Sequence, residues 1–226
     1  MCGRYSVLTE DEIIEVRSII QEISLRLIRD DVENYGIRPG EVRPTDTAPI
    51  IAKELDGIAF ENAKFGFKGF DGKGVIINAR SETIKDKRMF KGLLDVGRCV
   101  VPASEYYEWK NQDAASDDIE KRPRKPKKIK HFVKDTEDNL LFFAGLYRDS
   151  DEGREFVIIT KEPCGEVVDL HDRMPVCLHV NQIEPWLDGT LTPEDIASLE
   201  FNSHVFPCET EAETEQDDGY EQMSLF

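Results

Sequence analysis

Long hydrophobic runs are absent from this 226-residue chain: none approaches the ~18 apolar residues that a membrane-spanning helix requires. The first residues also lack the basic segment and the apolar segment of a secretion signal. We therefore expect a cytoplasmic protein that does not associate with membranes. The length indicates one domain, or at most two small ones.

Cysteine and histidine are sparse. The five cysteines are an odd number and form no C-x-x-C pair, which excludes a disulfide framework and indicates a reducing compartment. They are Cys2, Cys99, Cys164, Cys177 and Cys208. The four histidines show no close pairing, so we expect neither a structural metal site nor a cofactor.

Basic residues are few relative to acidic ones, and the formal net charge is −17. Such a charge disfavours nucleic-acid binding as a whole, because phosphate contacts need Lys and Arg. The charge is uneven, however: residues 209–226 contain seven acids and no Lys or Arg, and without them residues 1–208 carry −10. We expect a folded domain over 1–208 and a disordered acidic tail over 209–226. The net charge of the folded domain is still compatible with a local basic groove.

Hydrophobic periodicity predicts an amino-terminal helix and then a strand-rich region. Apolar residues recur at steps of three and four over residues 9–29, and Thr9 and Glu12 have capping-box spacing. Residues 30–49 are rich in Gly and Pro and are interpreted as a loop. A further helix should start at Thr192-Pro193. We predict strands near Ile50–Lys53, Val75–Ala79, Arg98–Pro102, Tyr106–Lys110, His131–Lys134, Leu140–Tyr147 and Phe156–Thr160.

This pattern is typical of a strand-rich α+β fold. Strands do not alternate regularly with helices, so a doubly wound nucleotide-binding fold is disfavoured. Residues 111–125 form a charged segment that begins acidic and becomes basic. It is either a solvated loop or a segment whose basic half contacts a phosphate backbone.

Cys2 follows the initiator methionine, and a small second residue generally permits removal of that methionine. Cys2 would then carry a thiol and a free α-amine on adjacent carbons, with unperturbed pKa values of about 8.5 and about 7.7–8.0. The amine of such a 1,2-aminothiol condenses with an aldehyde to an imine, and the thiol closes on the imine carbon to give a stable thiazolidine ring. The alternative is a small buried residue near the chain terminus.

Three internal segments of the sequence are considered together with this cysteine. They are Asn78-Ala79-Arg80-Ser81-Glu82-Thr83, Pro102-Ala103-Ser104-Glu105-Tyr106-Tyr107-Glu108-Trp109 and Leu170-His171-Asp172-Arg173-Met174-Pro175. Together with Met1-Cys2-Gly3-Arg4-Tyr5, they resemble the SRAP family, the SOS response-associated peptidase-like proteins that crosslink to abasic DNA. The resemblance runs over roughly residues 1–207 and implies a mixed, largely antiparallel, barrel-like sheet with few helices.

The resemblance also implies a reaction. Cys2 would attack the ring-opened deoxyribose aldehyde of an abasic site in single-stranded DNA, giving a thiazolidine DNA–protein crosslink that shields the site. Asn78 would orient the amine or the sugar, Glu108 would be the acid/base near the amine, and His171 would donate a proton to the sugar oxygen and assist reversal. The phosphate-binding positions would be Arg4, Arg80 and Arg173. Peptidase activity is expected only as removal of Met1.

The proposed reaction requires these residue types on chemical grounds, independently of the family resemblance. Imine formation suits a carboxylate with a raised pKa, ring opening suits a histidine near pH 7, and phosphates suit guanidinium groups. Structural roles are the alternatives. Glu108 could be an outward-facing strand residue, His171 a satisfied loop residue, and Asn78 a turn residue. Arg80 and Arg173 could be ion-pair partners.

The tail ends in Gln222-Met223-Ser224-Leu225-Phe226, which resembles the pentapeptide by which bacterial replication and repair proteins bind the sliding clamp. We expect a monomer near the nucleoid and replication forks. Its clamp contacts would be Gln222, Met223, Leu225 and Phe226. The alternative is a chance apolar ending on a solubilising tail.

Two other functions stay open. An N-terminal Met-Cys-Gly also opens class II glutamine amidotransferases, in which the thiol attacks a glutamine amide. Release of ammonia from glutamine would distinguish that enzyme. A clamp-tethered adaptor that binds single-stranded DNA without covalent chemistry is the non-enzymatic alternative, and a crosslink that survives denaturation would exclude it.

Overall fold

The structure is a computed structural model that describes residues 3–6, 8–22, 27–30, 40–69, 73–111, 128–136 and 139–208. It confirms the strand-rich α+β class with largely antiparallel pairing. The helices are α1 (Glu10–Glu22), α2 (Arg88–Lys91), α3 (Leu93–Val96), α4 (Val180–Leu187) and α5 (Pro193–Ala197), with a 3-10 helix at Gly165–Asp169. The strands are β1 (Arg4–Ser6), β2 (Leu27–Asp30), β3 (Glu41–Val42), β4 (Thr47–Glu54), β5 (Gly57–Phe65), β6 (Phe67–Lys68), β7 (Val75–Ile76), β8 (Asn78–Arg80), β9 (Arg98–Ala103), β10 (Tyr106–Asn111), β11 (Lys128–Asp135), β12 (Leu141–Ser150), β13 (Gly153–Lys161), β14 (Met174–Pro175) and β15 (Ser203–Pro207).

Five strands close into a barrel. β5, β4, β9, β12 and β13 are antiparallel neighbours in that order. β13 then pairs in parallel with β5, which sets Glu155 opposite Lys64 and Phe156 opposite Phe65. β2 pairs with β5, while β8 and β14 pair with β13. Closure matters because it leaves these five strands without an open edge.

A second, antiparallel sheet has the strand order β15-β11-β10-β1-β3. Two buried tyrosines, Tyr5 on β1 and Tyr106 on β10, attach it to the barrel. Each ring makes an edge-to-face contact with Phe143 of β12, at 6.0 Å between centroids. This anchoring fixes the position of β10, the strand that carries Glu108.

Side chains of the barrel strands alternate between two hydrophobic clusters. On β13, Val157 and Ile159 belong to the cluster that also contains Val16 of α1 and Trp186 of α4. Phe156 and Ile158 belong to the cluster that contains Tyr5 and Tyr106. Both faces of these strands are therefore buried, one against helices and one against the second sheet.

The predicted helix over residues 9–29 is too long. The capping box is confirmed, because the Thr9 amide donates to Glu12 Oε2 at 2.6 Å and the Glu12 amide donates to Thr9 Oγ1 at 3.3 Å. The helix ends at Glu22, however, and Leu27 lies in β2, parallel to β5. Pairing with the sheet overrides the helical period there. The predicted loop over 30–49 is also wrong in part, since β3 and the start of β4 lie within it.

The predicted strands all correspond to strands of the structure, although the Val75–Ala79 segment is divided at Ile77 into β7 and β8. The helix start at Thr192 is confirmed: Thr192 Oγ1 accepts from the Asp195 amide at 3.1 Å. The prediction omitted β5 and also the shorter strands β1, β2, β3, β6, β14 and β15. The tail over 209–226 and residues 112–125 of the charged segment lie outside the described residues. Within the described ranges, no helix is long and apolar enough to cross a membrane.

Candidate active site

Glu108 is a buried carboxyl on β10. The strand alternates, so Tyr106 and Glu108 face one side of the second sheet while Tyr107 and Trp109 face the other. Glu108 is only 3% exposed, and burial raises its pKa to about 7. The nearby charge of Asp172 also raises this pKa, and Lys128 lowers it. A carboxyl with this pKa populates both its acid and base forms near neutral pH, as a general acid/base requires.

His171 is held in a short loop between two fixed elements. The Leu170 and His171 amides donate to the Val167 carbonyl of the 3-10 helix at 2.9 and 3.0 Å. Val167 and Leu170 are buried in the cluster beneath the second sheet. After the loop, Met174 of β14 pairs with Lys161 of β13. The imidazole is therefore positioned by the backbone on both sides of it.

The structure brings His171 and Glu108 together: His171 Nε2 lies 3.7 Å from Glu108 Oε2. The Arg173 amide donates to His171 Nδ1 at 3.1 Å, which fits the neutral tautomer with its proton on Nε2. Asp172 Oδ1 also lies 2.6 Å from Nδ1, and its charge favours the protonated ring. Burial outweighs this effect and lowers the pKa of His171. The neutral ring can therefore donate a hydrogen bond from Nε2 on the Glu108 side.

Asn78 and Arg80 lie on β8, parallel to β13, with Asn78 opposite Ile158 and Arg80 opposite Thr160. The Asn78 side-chain amide donates to the Ile158 carbonyl at 3.4 Å, so this side chain is oriented against the barrel. Arg80 is exposed, and among the described residues it takes part in no ion pair. Arg80 is thus available to an anion.

Arg173 is buried rather than exposed. Its guanidinium donates to both carboxylate oxygens of Glu82, at 2.8 and 2.9 Å, and to the Thr160 carbonyl at 2.7 Å. The residue is 8% exposed. A structural ion-pair role, one of the sequence alternatives, is present here. A phosphate could reach this guanidinium only by sharing or displacing Glu82.

Arg4 lies on the opposite face of the second sheet from Glu108. Its guanidinium forms an ion pair with Glu41 at 3.1 Å and lies 4.9 Å from the centre of the Trp109 ring. On the same face, Lys130 of β11 lies 4.1 Å from the Tyr107 ring and pairs with Glu41. We call Arg4, Tyr107, Trp109 and Lys130 the aromatic–cationic face.

The aromatic–cationic face was not recognised from the sequence. The signal was available: Tyr107 and Trp109 alternate with Glu108 on β10, and Lys130 stands opposite Trp109 in the register. Only the pairing of β10 with β11 reveals that the aromatic rings and cations share one surface. Aromatic rings with interspersed cations are the surface type that binds unpaired bases and phosphates.

Cys2 and the tail residues Gln222, Met223, Leu225 and Phe226 lie outside the described residues. Strand register nevertheless relates the amino terminus to the site. Arg4 is opposite Tyr107 in the antiparallel pair β1–β10. Continued by one residue, the same register would set Gly3 level with Glu108.

The four described cysteines differ in their exposure. Cys99 and Cys177 are buried, while Cys164 and Cys208 are partly exposed. Burial raises the pKa of the Cys99 thiol, which keeps it protonated and unreactive. Among the described residues, no group of three His, Cys, Asp or Glu side chains is arranged to hold a metal ion.

Comparison with known sequences identifies relatives over most of the chain. The sequence model of the family described as "SOS response associated peptidase (SRAP)" matches residues 1–212. The abasic site processing protein YoqW of Bacillus subtilis (strain 168) is 32% identical over 217 residues, which cover 86% of this chain and 84% of the relative. The abasic site processing protein YedK of Escherichia coli (strain K12) is 25% identical and covers 88% of this chain and 85% of its own.

Solved structures share the fold. A phage-related protein from Bordetella bronchiseptica superposes with a TM-score of 0.70 at 26% identity, covering 93% of this chain and 95% of that one. A protein from Bacteroides thetaiotaomicron superposes with a TM-score of 0.69 at 23% identity over 91% of each chain.

Proposed function

The chain belongs to the SRAP family, and from that premise we propose that it processes abasic sites in single-stranded DNA by forming a thiazolidine crosslink through Cys2. The curated relatives YoqW and YedK are named abasic site processing proteins. The observation that carries the proposal is the contact between buried Glu108 and partly exposed His171, which lies beside the amino-terminal end of β1. An acid/base pair at that place suits chemistry performed by the amino-terminal residue itself.

The reaction needs four steps once Met1 has been removed. The abasic sugar opens to its aldehyde, and the Cys2 amine adds to the aldehyde carbon to give a carbinolamine. Loss of water gives an imine. The Cys2 sulfur then adds to the imine carbon while the thiol proton passes to nitrogen, which closes the ring. No oxidant or cofactor is consumed, and the only peptide cleavage is the loss of Met1.

Glu108 and His171 can divide the proton transfers between them. Glu108, with a pKa of about 7, accepts a proton from the attacking amine and returns it to the departing hydroxyl. Burial lowers the pKa of His171, and its neutral ring donates a hydrogen bond from Nε2 to the sugar oxygen, which stabilises the negative charge that develops there during ring opening. Asn78 orients the amine or the sugar by its amide group.

Single-stranded DNA would contact the protein through its phosphates and unpaired bases. Of the three arginines named from the sequence, Arg80 is the most accessible and Arg4 is partly exposed, and these two are the proposed phosphate partners, whereas the Arg173 guanidinium is already held by Glu82. Arg4 adds the stacking surface of the aromatic–cationic face. Seven of the acids lie in the tail, but residues 1–208 still carry −10, so binding would depend on the local placement of these arginines.

Residues 1–208 would form the catalytic domain and act as a monomer. Residues 209–226 would be an acidic tether whose last five residues bind the bacterial sliding clamp. Leu225 and Phe226 suit an apolar pocket, and Gln222 suits a hydrogen bond at its rim. The tether would keep the enzyme close to replicating DNA, where abasic sites are exposed in single strands.

Intact-protein mass spectrometry tests the proposal. We expect the purified protein to lack Met1 and to gain the mass of one abasic oligonucleotide, less one water, in a form that survives denaturation. Cys2→Ala should give no adduct, whereas Cys208→Ala should react like the wild type. A denaturation-stable adduct in Cys2→Ala would overturn the mechanism, and reversible binding alone would favour the adaptor. Ammonia release from glutamine would favour the amidotransferase.

A further inference from the structure

The loop that carries His171 is fastened to the barrel by one buried guanidinium. Arg173 spans from this loop to Thr160 on β13 and to Glu82 in the turn after β8. Both of its terminal nitrogens bond to Glu82, in the two-pronged geometry that is the most specific arrangement of these groups. Of the two anchors, Glu82 supplies the charge and Thr160 supplies a carbonyl.

The same residue contacts the imidazole through its backbone. The Arg173 amide donates to His171 Nδ1, which favours the tautomer with its proton on Nε2, whereas Asp172 Oδ1, 2.6 Å from the same nitrogen, favours a proton on Nδ1. Nε2 is the atom that lies 3.7 Å from Glu108. A continuous set of contacts therefore runs from Glu82 through Arg173 to the catalytic imidazole.

We propose, on the basis of the function proposed above, that Glu82 is a positioning residue. By holding the Arg173 side chain, it fixes the tautomer and the orientation of the His171 ring. Glu82 itself does not contact the sugar or the amine in this scheme. Its role is distinct from that of Arg80, which lies two residues earlier and faces solvent.

The physical reason is the burial of the Arg173 charge. Without Glu82 the guanidinium would keep only the Thr160 contacts in a place that is 8% exposed, and an uncompensated buried charge is strongly unfavourable. The side chain would turn towards water, and the Arg173 amide would move with it. A displacement near 1 Å at a reacting group can cost about 100-fold in rate.

The charged groups around His171 allow the effect to be isolated. Glu108 faces it from β10, Lys128 acts from β11, and Asp172 lies beside it in the loop. A Glu82→Gln change alters none of these three groups. A change of His171 tautomer in that variant would therefore report a movement of the loop.

A phosphate role for Arg173 leads to the opposite expectation. If DNA binds by displacing Glu82 from the guanidinium, Glu82 competes with DNA, and its neutralisation must tighten binding. One additional phosphate contact would also steepen the log–log salt dependence of binding by about 0.7. The two roles of Arg173 therefore predict different effects of Glu82→Gln on DNA affinity: no change for the positioning role, and tighter binding for the phosphate role.

The test compares Glu82→Gln with Glu152→Gln, which neutralises an exposed carboxylate paired with Lys64 and Lys68. Nitrogen-15 NMR of the DNA-free proteins should show the Nε2-protonated tautomer of His171 in the wild type and in Glu152→Gln, and a mixture of tautomers in Glu82→Gln. Single-turnover crosslinking at saturating DNA should fall roughly 10- to 100-fold in Glu82→Gln. Its DNA affinity and salt slope should stay unchanged.

A double variant provides the second criterion. Glu82→Gln combined with His171→Ala should react no more slowly than His171→Ala alone, because the two residues act through one group. A wild-type tautomer in Glu82→Gln, additive losses in the double variant, or tighter DNA binding with a steeper salt slope would each overturn the proposal. If Glu82→Gln does not fold, Glu82→Asp must show a weaker tautomer change. Absence of an adduct in the wild type would refute the proposed function, while the NMR result would still decide the role of Glu82.

Discussion

Glu108 Oε2 and His171 Nε2 lie 3.7 Å apart, and burial raises the pKa of the carboxyl while it lowers the pKa of the imidazole. The carboxyl becomes a weaker acid, with a pKa of about 7, and the imidazole becomes a weaker base. A proton can therefore pass between these groups and a substrate near neutral pH at little cost in free energy. We propose that this pair performs the proton transfers of the reaction.

Glu108→Gln should slow adduct formation by about 10²–10⁴-fold, since a positioned proton-transfer group typically contributes that much. The wild-type rate should rise as the pH passes through about 7, where Glu108 ionises, and this rise should be missing from the variant. Single-turnover crosslinking across pH measures both effects. Glu152→Gln should keep the wild-type profile, and a wild-type rate in Glu108→Gln would remove the residue from the mechanism.

His171→Gln should slow both the opening of the sugar and the release of a preformed crosslink, because each step moves a proton to or from the sugar oxygen. Release is measured by trapping the freed protein after adduct formation. The control is His204→Gln, which removes an exposed imidazole paired with Glu166. Equal release rates in His171→Gln and the wild type would assign reversal to another group.

The burial of Glu108 should also appear in the pH dependence of stability. A carboxyl with a higher pKa in the folded chain binds protons more tightly there, so stability falls as the pH rises from 4.5 to about 7 and is then constant. Glu108→Gln should raise the free energy of unfolding by roughly 3 kcal/mol near pH 8 and by little near pH 4. Urea unfolding at the two pH values checks this. An equal gain at both would point to packing rather than ionisation.

Arg80→Ala should weaken binding to single-stranded DNA and make the log–log salt slope shallower by about 0.7, the value for one lost phosphate contact. Fluorescence anisotropy at several salt concentrations measures the slope. Arg88→Ala provides the matched control, since Arg88 is an exposed arginine on α2. An unchanged slope in Arg80→Ala would place the DNA elsewhere.

A peptide covering residues 221–226 should bind a bacterial sliding clamp at about micromolar affinity, close to 8 kcal/mol of binding free energy. Leu225→Ala with Phe226→Ala should remove this binding without changing crosslinking to free oligonucleotides. Titration calorimetry measures the first effect. Absence of heat, together with no competition against a known clamp peptide, would leave the tail without a clamp role.

Local sequence signals predicted the elements whose structure depends on local contacts. Thr9 and Thr192 cap helices through residues three positions later, and both caps are present. The strand containing Tyr106 and Glu108 was predicted from its own composition. Glu108 and His171, which were named from motifs 63 residues apart, prove to be neighbours.

Contacts between residues far apart in the chain could not be predicted from the sequence. β5 was missed because Gly57–Phe65 mixes polar and apolar residues without strict alternation, yet it pairs with β4, β2 and β13 and closes the barrel. Leu27 fits the helical period of the preceding residues, but it lies in β2, which pairs with β5. The carboxylate that holds Arg173 lies 91 residues away in the chain, and nothing near Arg173 in the sequence identifies it.

The pairing of β1 with β10 has a consequence for the timing of maturation. Tyr5 of β1 is opposite Tyr106 of β10, so β1 can pair with β10 only after roughly a hundred further residues have been synthesised. Ribosomes add about 5–20 residues per second, so the amino terminus stays unincorporated for on the order of 5–20 s. Aminopeptidase can remove Met1 freely during this interval, whereas afterwards it must act on a terminus beside a folded, buried site. Under the proposed mechanism, expression that outpaces the aminopeptidase would therefore leave a fraction of molecules that keep Met1 and lack the free Cys2 amine that the crosslink needs.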